Sequence, residues 1–393
     1  MKKKLKKIIV KLNIVDLLSI PLFIFRIFPI KKNRILFENF TGKGYGDSPK
    51  YIAEHLLKSN DKYELFWVFR KGTKIKLPKG IFPIKLYSIK FFYIMATSKI
   101  WISNSRLDQY VVKRKDQFYI QTWHGGLGIK KIEYDVEDKM SEYYKKVMAK
   151  DNSNIDIMIS NGKFCTELYK RGFKYKGKIV EVGTPRNDVL INDKTSLNNK
   201  VRKIFNINSD DKIILYAPTF RNNYEKNPYD INFKGIKEIY ENKFKCKCHI
   251  IVKMHPRITN SENLINNSNV KMINATSYPD IQELICACDI LITDYSSTMM
   301  EAMIANKPVI IYANDIDSYI DERGFYFKFE ELPFPLAKNN DDLKSVFESL
   351  DLNKILSSYK NFKEKVGLKE LGTSTNKVCK IIENEISNKK MRI

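Results

Sequence analysis

Short apolar runs alternate with amphipathic stretches along most of the chain, and this alternation is the strongest constraint on its fold. Past residue 34 the runs are 34–39, 63–69, 99–103, 117–122, 155–160 and 178–183, then 211–217, 248–254, 289–293 and 308–312. Nearly continuous apolar runs of this length are expected of strands covered on both faces. Helix-like stretches separate them, at 48–58, 138–150, 161–171, 279–288, 297–305 and 340–350, and a final helix is predicted over 374–390. Strands alternating with helices build parallel sheets covered on both sides. These strands fit two sheets better than one, and the polar stretch 192–210 is the natural break. The fold class predicted is α/β, with two Rossmann-like domains facing each other across a cleft. The first domain is expected over 34–195 and the second, with the terminal helix, over 196–393. At 393 residues and 43% hydrophobic, the chain has ample core material. That excludes a disordered, collagen-like or disulfide-stapled chain.

Residues 1–33 form a separate basic segment. Residues 1–34 hold ten Lys/Arg and one Asp. The apolar run Ile14 to Ile30 is broken by Asp16, Pro21, Arg26 and Pro29. A spanning helix wants about 20 uninterrupted apolar residues, and no cleavage site for a signal peptide follows. The better reading is an interfacial segment, with Lys2, Lys3, Lys4, Lys6, Lys7 and Lys11 near lipid phosphates and Leu, Ile and Phe in the acyl boundary. A first helix packed on the protein's own core is the alternative. A formal net charge of +24 draws the whole chain toward polyanions, whether nucleic acid, anionic lipid or a phosphate-rich substrate. No nucleic-acid-binding motif accompanies it.

The six cysteines include the pairs Cys246/Cys248 and Cys286/Cys288 but no C-x-x-C. With His249 they sketch an incomplete zinc set. Small apolar residues in a strand edge and a helix account for them equally well, and reduced thiols suit a cytosolic face. Asp315-Ile316-Asp317 mimics a metal-binding D-x-D but adjoins no further ligand. Nothing in the sequence calls for a metal or a cofactor.

Ligands of open α/β sheets sit beyond the carboxyl ends of strands. After 117–122 comes Trp123-His124-Gly125-Gly126-Leu127-Gly128. Its glycines let backbone N–H groups approach a ligand. His124 is placed either as a general base or as a structural histidine beside a turn. After 248–254, Lys253, His255 and Arg257 surround one point with donors, and Pro256 stops the strand. His249 and His55 read as a strand and a helix residue. After 289–293, Ser296, Ser297 and Thr298 open a helix. One hydroxyl serves as a cap, and the others suit a diphosphate at a helix start. Glu301, one turn on, reads as a ribose ligand or as surface charge. Arg186, in Thr184-Pro185-Arg186-Asn187-Asp188, can grip a phosphate bidentately.

Taken in order, Trp-His-Gly, Pro-Arg-Asn-Asp, Tyr216-Ala217-Pro218-Thr219-Phe220-Arg221, Lys-Met-His-Pro and Thr-Asp-Tyr-Ser-Ser resemble the CDP-glycerol glycerophosphotransferase family. These enzymes are the glycerol- and ribitol-phosphate transferases of teichoic acid and capsule assembly. The resemblance runs from Arg34 to the tail. It implies a GT-B-like fold and transfer of an alditol phosphate, most simply glycerol phosphate, from a CDP-activated donor. The acceptor it implies is a hydroxyl of a lipid-linked saccharide or polyol-phosphate precursor at the cytoplasmic membrane face, with CMP released. By motif match His124 is the base, with His255 beside the reacting phosphate. Trp123, Gly125, Gly126, Leu127, Arg186, Pro218, Thr219, Lys253, Met254, Ser296, Ser297 and Glu301 line the donor site. The resemblance implies a peripheral enzyme on an anionic membrane. A GT-B nucleotide-sugar glycosyltransferase of surface polysaccharide assembly is the alternative. The family usually reads Trp-His-Gly-Thr-Pro, so Gly126 and Leu127 depart from it where the alditol end of the donor is held.

Overall fold

The computed structural model describes residues 14–58, 62–73, 75–221, 227–255, 258, 270–317, 319 and 324–387. The chain divides into two compact units. Of the described residues, those up to Gly126, Ile132–Arg186 and those from Lys369 onward form the first, while Leu127–Lys131 and Asn187–Leu368 form the second.

The first unit is built on a seven-stranded sheet. Its strands are β1 (Lys31–Glu38), β2 (Glu64–Phe69), β3 (Ile81–Lys85), β4 (Ser98–Ser103), β5 (Phe118–Gln121), β6 (Ile157–Ser160) and β7 (Lys178–Glu181). They lie in the order β3-β2-β1-β4-β5-β6-β7, all parallel. The second unit holds a six-stranded sheet of β8 (Lys212–Tyr216), β9 (Cys248–Val252), β10 (Met272–Asn274), β11 (Ile290–Thr293), β12 (Val309–Tyr312) and β13 (Leu336–Ala337). Its order is β10-β9-β8-β11-β12-β13, again all parallel. Both sheets wind outward for three strands, return to the middle and continue the other way. That is the Rossmann order, with switch points between β1 and β4 and between β8 and β11.

Side-chain alternation explains the packing of the first sheet. Ile35 and Phe37 of β1, Ile100 and Ile102 of β4 and Ile120 of β5 share one buried face. Ile52, Ala53 and Leu56 of the helix Asp47–Leu57 cover it, together with Val378, Cys379, Ile381 and Ile382 of the helix Ser374–Ile386. Glu38, Ser103 and Gln121 end β1, β4 and β5 on the opposite face, because successive strand residues alternate.

Three strands absent from the sequence reading, β3, β10 and β13, all lie at sheet edges. β3 contains Pro83 and is buried only at Ile81 and Ile84, while β10 and β13 are three and two residues long. Short, half-exposed edges carry little apolar signal. The expected break at 192–210 is instead an amphipathic helix, Lys194–Phe205, with Val201 buried. The chain changes unit at Arg186/Asn187 and returns at Leu368/Lys369, so the terminal helix belongs to the first unit and not the second. Its apolar stripe completes the cover of the first sheet.

Residues 1–13, with Lys2, Lys3, Lys4, Lys6, Lys7 and Lys11, lie outside the described residues, as do Pro256 and Arg257. From Ile14 the chain forms short helices, Ile14–Leu17 and Ile20–Ile24, and a 3-10 turn, Phe25–Ile27. Leu22 is buried, and Phe25 and Phe28 meet the Tyr93 ring edge-on at 5.7 and 5.3 Å. Leu17, Ile20, Phe23, Ile24 and Ile27 remain exposed. Among the described residues, no helix is long and apolar enough to cross a membrane.

If the terminal helix is part of the first unit's core, Ile382→Ala should cost about 2–5 kcal/mol, the range for truncating a buried Ile. Urea unfolding followed by tryptophan fluorescence checks this, because all three tryptophans, Trp67, Trp101 and Trp123, lie in the first unit.

Candidate active site

In the first unit the loops after β1, β4, β5 and β7 carry the polar residues. Asn104, just past β4, accepts a hydrogen bond from the His124 ring at Nδ1 through its backbone carbonyl, at 2.7 Å. A carbonyl can only accept, so Nδ1 carries the proton and the lone pair sits on Nε2. Burial lowers the His124 pKa, and the Arg186 charge lowers it further. The imidazole is therefore neutral at neutral pH. Its ring packs against Trp123, tilted at 4.4 Å, and meets Phe40 edge-on at 5.1 Å. The loop carrying Phe40 is tied to the same residue, since the Phe40 N–H donates to Asn104 Oδ1 at 2.8 Å.

Trp123 adopts a positive φ of 52° and rests on the guanidinium of Arg106, 5.6 Å from its ring. Arg106 is buried and pairs with Glu133 at 2.7 Å and Asp151 at 3.1 Å. Arg186 is also buried, and its Nη1 reaches Asp47 Oδ1 at 2.9 Å. Its loop is braced by the tail: Thr184 N–H donates to Glu370 at 3.0 Å, and Thr375 Oγ1 donates to the Pro185 carbonyl at 3.1 Å. Gly126 has φ +42°, and a Cβ there would face Asn161, Arg186 and Thr184 at 3.5 to 3.9 Å. A glycine therefore keeps this approach open beside Arg186.

In the second unit Asp294, just past β11, gathers the loop after β8. It accepts from Thr219 N–H at 2.9 Å, Thr219 Oγ1 at 2.6 Å and Tyr295 N–H at 2.6 Å. It also pairs with buried Arg221 at 2.9 Å. Arg221 Nε reaches Asp315 at 2.7 Å, and the guanidinium packs against the Tyr295 and Tyr319 rings, 4.7 and 4.6 Å from their centres, while the two rings stack on each other at 4.0 Å. Tyr295 closes the ring by donating to Asp315 at 2.8 Å. Lys253, just past β9, donates to the Tyr278 carbonyl, and burial pulls its pKa down to about 8.

The sequence-predicted residues therefore fall at two places. Trp123, His124, Gly125, Gly126 and Arg186 belong to the first unit. Leu127, Pro218, Thr219, Lys253, Met254, His255, Ser296, Ser297 and Glu301 belong to the second. Several have local roles that differ from the expectation. Met254 is buried, and Leu127 is buried in the short segment whose Ile129 carbonyl accepts from Tyr326 N–H. Thr219 spends its hydroxyl proton on Asp294. Ser296 supplies the helix-start contact by accepting from Thr298 N–H, and Ser297 makes no capping bond. Glu301 is not surface charge; it is buried and accepts from Gln282 at 3.0 Å. His255 is exposed, its ring 5.7 Å from Phe220.

Sequence reasoning missed Asn104, Asp47, and the supports Arg106, Glu133 and Asp151. The only signal of Asn104, Arg106 and Asp47 was position beyond a strand end, shared by many surface polar residues, while Glu133 and Asp151 lie in helical segments and gave none. Asp315 is held by Arg221 and Tyr295, and His249 pairs with Asp211 at 2.8 Å beside Cys248. Among the described residues, no group of three His, Cys, Asp or Glu side chains is placed to hold a metal.

The chain is 33% identical over 380 residues to a teichoic acid poly(glycerol phosphate) polymerase of Bacillus spizizenii, covering 93% of this chain and 95% of that one. It is 32% identical over 371 residues to the polymerase of the same name in Bacillus subtilis, spanning 90% of this chain but 49% of the relative. In structure it is similar to the wall teichoic acid polymerase TagF, solved as a His-to-Asn variant with CDPG. The TM-score is 0.82 at 28% identity, with 99% of each chain covered. The model of the CDP-glycerol:poly(glycerophosphate) glycerophosphotransferase family matches residues 20–384, and the chain belongs to that family.

Proposed function

We propose that the chain transfers glycerol phosphate, or a related alditol phosphate, from a CDP-activated donor to a hydroxyl of a lipid-linked teichoic-acid precursor. The observation that carries the reading is the fixed tautomer of His124 at a strand carboxyl end, in a member of this family. Two units, each in Rossmann strand order, support the GT-B-like interpretation.

His124 Nε2 takes the proton from the acceptor hydroxyl as its oxygen attacks the phosphorus bearing glycerol. A new P–O bond forms, the bridging P–O bond breaks, and CMP leaves with the bridging oxygen. In phosphoryl transfer most of the catalysis is positioning and charge stabilisation. Arg186 meets phosphate charge in the first unit, oriented by Asp47. In the second unit Lys253, His255, Ser296 and Ser297 hold the CDP diphosphate. Thr219 and Pro218 shape the loop that Asp294 fixes.

The exposed apolar face of residues 17–27, followed by exposed Lys31 and Lys32, supports peripheral docking on an anionic membrane. Apolar side chains enter the acyl boundary and lysines meet lipid phosphates.

His124→Ala should lower the rate of CMP release from CDP-glycerol, in the presence of a lipid-disaccharide acceptor, by about 10²–10⁴-fold. The depressed His124 pKa sets the sign of the pH profile. The base is neutral above that pKa, so activity should hold through neutral pH and fall only on acidification below the ordinary histidine range. Unchanged turnover in the variant would refute the base assignment. For the membrane, Ile24→Glu with Ile27→Glu should abolish co-sedimentation with anionic vesicles and leave the melting temperature within a degree or so, because both side chains are already exposed. Full retention on vesicles by that variant would count against this face.

A further inference from the structure

One end of the first sheet has features that the donor chemistry does not use. Glu38, the last residue of β1, is 6% exposed, and its Oε1 is buried without a hydrogen-bond partner. Leaving a buried polar atom unsatisfied costs about 1–3 kcal/mol, so native structures rarely do it without a reason. The charges acting on Glu38 are Arg70, just past β2, and Asp151 and Asp108, which follow later in the chain. Tyr87, just past β3, lies in the field of Asp108, Arg70 and Glu38. Buried Tyr110 lies in that of Tyr87, Glu38, Asp108 and Tyr143. Buried Tyr119 of β5 feels Asp151, Glu38 and Arg106. Thus β1, β2, β3 and the loop after β4 each deliver a polar side chain to the carboxyl edge beside the switch point, where open parallel sheets take ligands.

The backbone adds an independent sign. Phe40, Thr41 and Tyr87 adopt positive φ of 43°, 55° and 63°. Such conformations cost of order 1–3 kcal/mol each in a non-glycine residue and cluster where a ligand is held. Phe40 and Tyr87 are also 38% and 47% exposed, so their strain does not bury their rings. Arg70 locks the loop by donating from Nε to the Thr41 carbonyl at 2.6 Å. Asn39, next to Glu38, accepts from Asn104 Nδ2 at 2.9 Å, and Asn104 in turn holds His124.

We propose that this edge is a subsite for a polyol phosphate, the terminal unit of the acceptor, with Glu38 bonding a hydroxyl, Arg70 facing the phosphate and Tyr87 covering the carbon chain. The assignment of this ligand as the acceptor rests on the function proposed above. Burial pushes the Glu38 carboxyl up to about 8. It therefore carries a proton at neutral pH, and can both give and accept a hydrogen bond, as a polyol hydroxyl requires. Glu38 adjoins Asn39, and Asn39 is tied through Asn104 to the His124 ring.

The test is calorimetric titration of the full chain with a short glycerol phosphate oligomer, without donor. Wild type should bind. Glu38→Met removes the orphaned oxygen at similar volume, so it should bind at least about tenfold more weakly while its melting temperature holds or rises. Tyr87→Gly suits the positive φ and should weaken binding as well. The subsite is overturned if wild type does not bind the oligomer, or if both variants bind it as wild type does. Should Glu38→Met not fold, Tyr87→Gly decides alone. CDP-glycerol is titrated separately. If it does not bind, the proposed donor chemistry fails, and the oligomer result still judges the subsite.

Discussion

Parallel pairing is the constraint on which everything else in this molecule depends. In a parallel sheet every strand ends at the same edge, so residues far apart in sequence are collected without any long-range recognition between them. Asn104, His124 and Arg186 follow β4, β5 and β7 and become neighbours in the first unit. Thr219, Lys253, Asp294 and Asp315 follow β8, β9, β11 and β12 in the second. Rossmann order adds a gap at the point where winding reverses, and both polar clusters lie at loops beside it.

What the sheet collects, buried arginines then fix. Arg106, Arg186 and Arg221 each sit out of water against carboxylates, with Glu133 and Asp151, with Asp47, and with Asp294 and Asp315. Removing one partner from such a pair leaves an uncompensated charge and costs about 3–5 kcal/mol, so each pair resists rearrangement of its loop. Arginine suits the task because its planar fork reaches two carboxylates at once and stacks on aromatic faces. Arg221 does both, reaching Asp294 and Asp315 and packing against the stacked pair Tyr295 and Tyr319. The rigidity serves the chemistry indirectly: Trp123 rests on Arg106, and the His124 ring packs tilted against Trp123.

The sequence made the layered α/β architecture legible because central strands are buried on both faces and read as unbroken apolar runs. It did not reveal β3, β10 or β13, whose edges need little apolar surface. The end of the first unit was misplaced for a related reason. Residues 192–210 look like a linker by composition, yet Val201 and the pairing of Arg202 with Asn198 and the Asn208 carbonyl make a helix of them. Chemistry was legible wherever the residue type itself was uncommon, as with a histidine entering a glycine-rich loop. It was illegible wherever a backbone atom did the work. Asn104 orients His124 through its carbonyl, which every residue possesses, so no residue type could have announced it.

Burial also decides where the +24 charge is usable. Most lysines are solvated and act over a distance that salt screens to about 8–10 Å. Lys253 is different: taken out of water with backbone carbonyls as partners, it has its pKa pulled down to about 8, so it is still charged at neutral pH but holds its proton far less firmly than a solvated lysine. An anion brought against it would add to the charge of Asp280, which already acts on it, and return its pKa toward the ordinary lysine range. His124 shows the complementary choice, since the same desolvation strips its charge and leaves a lone pair. One physical effect, burial at a strand end, therefore loosens the proton of a lysine in one unit and leaves a histidine neutral in the other.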